Sequence, residues 1–124
     1  MKREYVEIVA RSQPKTSPHA PSVPPDGETW IWAVTTLAQN QRHGGTRTPV
    51  VCSTFQLANE IVENNHGDIW ECSYYLAVIE AIRVDRLYGS VLGESFWYAW
   101  FTDEGYKPIE TPEEFRNTFG HGVG

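Results

Sequence analysis

Tyr74-Tyr75-Leu76-Ala77-Val78-Ile79-Glu80-Ala81-Ile82-Arg83-Val84-Asp85-Arg86-Leu87-Tyr88 is an apolar-rich run near the middle of the chain, and its period sets the architecture. Leu76, Ile79, Arg83 and Arg86 fit a helix no better than a strand. Val78, Ile79, Ile82 and Val84 are β-branched, and Tyr74 and Tyr75 are aromatic. Stiff branched and ring side chains pack best on a pleated surface, so the run predicts one long strand. A long strand needs partners on both sides, and the neighbouring segments supply them.

Downstream, Gly89 to Gly93 is expected to turn the chain, and Phe96-Trp97-Tyr98-Ala99-Trp100-Phe101 to return as a strand. Asp103-Glu104-Gly105 then reads as a turn and Tyr106 to Glu110 as a short return strand, together a hairpin. Period-2 alternation sets Trp97 and Phe101 on one face and Phe96, Tyr98 and Trp100 on the other. Thr111-Pro112-Glu113-Glu114 starts a short C-terminal helix over about 112–118, with a cap, a proline at the first helical position and acids in the first turn.

Upstream, Ser53-Thr54-Phe55-Gln56 reads as a capping box for a main helix over about 53–65. Leu57, Ala58, Ile61 and Val62 fall on its apolar face, and Gly67 suits the left-handed position past its end. Val50-Val51-Cys52 is a short strand, and the polar, glycine-containing stretch from Gln39 to Pro49 is a loop. Thr29-Trp30-Ile31-Trp32-Ala33-Val34-Thr35-Thr36 is a strand with Trp30 and Trp32 on one face. Five prolines between Ser12 and Gly27 remove donors and fix φ, so residues 12–27 form an extended surface loop. Tyr5 to Arg11 alternates in part and reads as a first strand, and Ile69-Trp70 as the start of another. The sum is one domain over residues 1–124, an α+β fold. It comprises an antiparallel sheet of about five or six strands, one main helix across a face and the short C-terminal helix. At 124 residues roughly two-thirds of the unfolded surface is buried, enough for a real core.

Val51-Cys52-Ser53-Thr54 followed by Leu57-Ala58 and Ile61, the later Ala77-Val78-Ile79-Glu80, and the closing Tyr106-Lys107-Pro108-Ile109-Glu110 with Pro112-Glu113-Glu114-Phe115 resemble small uncharacterised bacterial and phage domains of unknown function. The resemblance covers about half the chain. It implies a compact α+β fold, and it brings no catalytic residue.

Ten Lys and Arg against sixteen Asp and Glu give a net charge of −6, so duplex nucleic acid is not an expected partner. No apolar run is long enough to span a bilayer, and Met1 to Tyr5 carries no apolar export core, so a cytoplasmic protein without membrane contact is expected. Cys52 and Cys72 are then reduced thiols. The histidines His19, His43, His66 and His121 are scattered without ligand spacing, so neither a metal nor a cofactor is expected.

Four constellations bear on function. In Arg42-His43-Gly44-Gly45-Thr46-Arg47, adjacent glycines let amides converge and two arginines clamp an anion. Ser53 and Thr54 add a helix N-terminus, and Trp30, Trp32 or Trp97 a stacking ring. The bland alternative is a solvated hairpin loop. Cys52, before a helix start, is either an activated nucleophile or a buried thiol at a strand end. Glu71 and Glu80 read as ordinary outward strand positions rather than a catalytic pair. Five Trp, six Tyr and five Phe exceed what one core needs, so some rings line a groove or an oligomer contact. His121, in a glycine-rich tail, reads as solvated. The leading expectation is a small non-enzymatic binding module that sequesters or senses an anionic nucleotide-like ligand, or docks a protein. The alternatives are a cysteine-dependent enzyme using Cys52 and a homo-oligomeric interaction protein.

Overall fold

The computed structural model describes residues 4–16, 29–38, 46–71, 73–84 and 91–115. Among them run α1 (Glu4–Arg11), β1 (Trp30–Ala38), β2 (Thr46–Cys52), α2 (Phe55–Glu63), β3 (Tyr74–Arg83), β4 (Val91–Phe101) and β5 (Gly105–Ile109), with single 3-10 turns at His66–Asp68 and Glu113–Phe115. The strands form one antiparallel sheet in the order β2-β1-β3-β4-β5. This is a sheet-rich fold with two short helices. None of the described helices is long and apolar enough to cross a membrane.

The 74–88 run is a strand as far as Arg83, and it is the central one. Its position explains its composition, because a strand covered on both faces reads as a nearly unbroken apolar run. On one face α2 lays Phe55, Ala58 and Val62 over Trp32, Val34, Ala77, Ile79 and Tyr98. On the other, Ile8 of α1 joins Leu37, Leu76, Val78, Trp97 and Ala99, with Phe115 packed alongside. The ring surplus has its explanation here, since one sheet carries two cores. The alternation read from sequence holds: Phe96, Tyr98 and Trp100 face α2, and Trp97 and Phe101 face α1.

Several expectations are corrected. Tyr5 to Arg11 is a helix rather than a strand. Tyr5, Ile8, Val9 and Ser12 also satisfy helical spacing, and burying Ile8 against the sheet decides between the two periods. The predicted loop through Pro49 is already strand from Thr46. Proline is tolerated there because β2 is an edge strand and the register slips between Val34 and Thr36, opposite that segment. Pro108 sits likewise on the other edge, β5.

Residues 91–93 belong to β4, not to a turn. Ile69 and Trp70 lie in a turn, not a strand. The main helix is shorter than 53–65, and its N-cap is Thr54, one residue after Ser53. Leu57, assigned to the buried face, is 48% exposed. Asn65 takes the left-handed position directly past the helix, and Gly67, expected there, is left-handed as well (φ 67°). Of the C-terminal helix, Glu113–Phe115 is a 3-10 turn and 116–118 lie outside the described residues. Of the proline-rich segment, 12–16 are irregular and 17–28 lie outside the described residues. Lys15 fastens its start to the sheet: its amide donates to Pro108 O at 2.8 Å and its ammonium lies 3.3 Å from Glu110.

Candidate functional site

The residues expected to hold an anion do not meet among those described. Arg42, His43, Gly44 and Gly45 lie outside the described residues. Arg47 stands near the start of β2, opposite Thr36, where its guanidinium is engaged by the Glu71 carboxylate. Ser53 and Thr54 follow the far end of the same strand, at ~3.3 Å per residue roughly 20 Å away. Thr54 is occupied in capping its own helix: Oγ1 accepts from the Leu57 amide at 3.2 Å. Ser53 is exposed.

The indoles divide between the two faces. Trp30 and Trp32 share the α2 face, edge to face with centroids 6.1 Å apart. Trp97 lies on the α1 face, stacked on Phe115 at 4.8 Å. Trp32 and Trp97 are core residues, while Trp30 is half-buried. Trp70 stacks on Trp100 at 4.2 Å, against Tyr75 and Tyr106, so these rings cover one another.

Cys52 points into the core opposite Trp32. Burial pushes its thiol up, which keeps it protonated and a poor nucleophile at neutral pH. His43 and His121 lie outside the described residues, and His66 is exposed. Among the described residues no group of three His, Cys, Asp or Glu side chains could hold a metal.

The carboxylates part ways. Glu71 is outward, as expected, and paired with Arg47. Glu80 is not outward: its solvent exposure is 0%. It sits in the middle of the central strand on the α1 face, directly across from Ala33. Neither carboxylate oxygen has a hydrogen-bond partner. Burial alone pushes its carboxyl up to about 7, because the charged form loses its water and gains nothing in exchange.

The described neighbours of Glu80 on β1 and along β3 are small or apolar. Ala33 offers only a methyl, and Val78 and Ile82 flank Glu80 along β3 on the same face. On the β4 side the register slips: Ile79 pairs with Phe96 but Ala81 with Leu92, so residues 93–95 oppose Glu80. Such irregularities re-aim side chains and recur at functional sites. Thr35 lies diagonally across, its hydroxyl 3.0 Å from that of Thr48. One signal for Glu80 was present in the sequence. It is the single charge inside Leu76-Ala77-Val78-Ile79-Glu80-Ala81-Ile82, and a doubly covered strand admits charge only at a cost.

Comparison with protein-family models, with curated proteins and with solved structures finds no match for this chain. The functional reading rests on the site itself.

Proposed function

We propose that the protein is a non-enzymatic binding module whose recognition group is Glu80. The observation that carries this is a fully enclosed carboxylate with both oxygens unpaired at the centre of the sheet. An unpaired buried carboxylate is costly, by several kcal/mol if charged. A ligand that brings donors offsets that cost, so the site favours a donor-bearing ligand. A bare phosphate or carboxylate brings no donors, and Glu80 repels it. For the expected nucleotide-like ligand, Glu80 therefore suits the base rather than the phosphate, which is left to Arg42 and Arg47.

The other readings have less behind them. A cysteine enzyme needs a thiolate, and Cys52 is held as a buried thiol. A homo-oligomer was expected from surplus rings, and much of that surplus packs into two cores of one chain. The test is isothermal titration of wild type and Glu80→Gln with a panel of amines, guanidines and nucleotides. The expected result is binding of at least one class to wild type that is lost in Glu80→Gln. Equal heats for both proteins across the whole panel would remove the site.

A further inference from the structure

We propose a second binding site, independent of Glu80, in the groove between the end of α1 and the segment that follows β5, and we assign it a neutral polyhydroxylated ligand, a saccharide. The groove has a volume of about 570 Å³, with residues 8 and 11–13 contributed by the first segment and 110–113 by the second. That volume lies within the range of about 300–1,000 Å³ that small-molecule sites occupy.

The lining sets the chemistry. Its base is apolar: Ile8 is 1% exposed and Pro112 is buried. Around that base stand the Gln13 amide, the Glu110 and Glu113 carboxylates, the Arg11 guanidinium and the Thr111 hydroxyl. Amide, carboxylate and guanidinium are planar forks that donate to, or accept from, two neighbouring groups at once. A sugar ring offers that pattern, with adjacent hydroxyls that each donate and accept and a C–H face for the apolar base. The side chains of Gln13, Thr111 and Glu113 make no hydrogen bond or ion pair among the described residues, so their capacity is open to a ligand. Arg11 is already engaged, but a guanidinium carries several donors and one contact does not exhaust it.

Charge and backbone argue against the competing ligands. Arg11 and Lys15 balance Glu110 and Glu113, with the Lys15 ammonium 3.3 Å from Glu110. A balanced rim has no net field to gather an ion, so neither a phosphate nor a polyamine is favoured. An extended peptide would add to the outer edge of β5 through backbone hydrogen bonds. Next to the groove that edge is already taken, because the Lys15 amide donates to Pro108 O at 2.8 Å.

The experiment is an amide-resolved NMR titration of maltotriose, cellotriose and tri-N-acetylchitotriose into wild type, Glu113→Ala, Gln13→Ala and Glu80→Gln, with spermidine and inorganic phosphate as charged probes. Glu113 and Gln13 are exposed, so both groove variants keep the fold. At least one trisaccharide should shift the Gln13, Thr111 and Glu113 amides saturably. Its affinity should fall about 3- to 10-fold in at least one groove variant, the effect of one lost hydrogen bond, and should be unchanged in Glu80→Gln. No saturable shift at these amides with any trisaccharide, or wild-type affinity in both groove variants, would overturn the proposal. Tighter binding of spermidine or phosphate at the same amides would also overturn it and make the groove an ion site. A trisaccharide whose binding vanishes in Glu80→Gln and persists in both groove variants would belong to the Glu80 site and would overturn it too.

Discussion

On the α2 face, the hydroxyls of Tyr98 and Tyr106 are sealed from solvent yet partnered: Tyr98 donates to Asn59 Oδ1 and Tyr106 to the Tyr74 carbonyl. On the α1 face Glu80 is sealed to the same degree and receives nothing. Burial pushes all three groups towards their neutral forms. For the tyrosines the neutral form is the working one, able to donate. For Glu80 a neutral form is reached only by holding a proton that water would remove above about pH 4.5. The Trp70 Nε1 on the α2 face also lacks an acceptor, but it is a neutral single donor, and leaving it unmade costs less than leaving an anion. The two buried tyrosine hydroxyls on the α2 face therefore serve stability, whereas the Glu80 carboxylate on the α1 face is held against it.

Substitutions sharpen or break that contrast. The largest effect is expected at Trp97, 2% exposed and stacked on Phe115. Trp97→Ala should cost about 3–5 kcal/mol in urea melts, as loss of a core ring does. A loss below about 1 kcal/mol would return Trp97 to the surface as a ring free to stack on a ligand. Next comes Glu80→Gln, which should stabilise. Its folded carboxyl lies near 7 against an ordinary 4.5, so between those values the folded state binds more protons than the unfolded one. Wild-type stability then falls as pH rises from about 4.5 to about 7 and is level above, at ~1.4 kcal/mol per pK unit. Melts should show Glu80→Gln gaining roughly 3–4 kcal/mol at pH 8, with the gain vanishing below about pH 4.5.

Tyr106→Phe should move stability the other way, losing about 1 kcal/mol with the hydrogen bond to Tyr74. A gain there would erase the distinction between the faces. The smallest effect belongs to Arg47→Ala. Its ion pair with Glu71 is 50% and 41% exposed, and such pairs contribute about 0–1 kcal/mol. A larger loss would give Arg47 a structural role beyond that pair.

Much of the sheet was legible because its strands are long and strongly patterned. The β-branched run in β3, Trp30 to Thr36 in β1, and the hairpin around Asp103-Glu104-Gly105 all state their period locally. Segments that answer to tertiary context were not legible. Tyr5 to Arg11 is too short to separate a period of 2 from 3.6, and only the docking of Ile8 settles it. Thr46 to Pro49 looks like a loop because proline forbids a central strand. Its edge position appears only once β1 pairs with β3 on its far side. Ser53 and Thr54 are equally good caps, and the backbone at Thr54 (φ −136°) takes the role. The candidate site was the least legible part. Arg47 and Ser53 are close in sequence, but an extended strand drives them apart. Glu80 looked outward because alternation on a strand normally places charge in water. On a strand covered on both faces, no such position exists.

The most direct test is a carbon-13 NMR titration of the Glu80 side-chain carboxyl, assigned by its disappearance in Glu80→Gln. The expected result is a midpoint at about pH 7, reflecting a carboxyl walled off from water and from donors. A midpoint near 4.5 would mean that water or a partner already reaches both oxygens, and it would contradict the account.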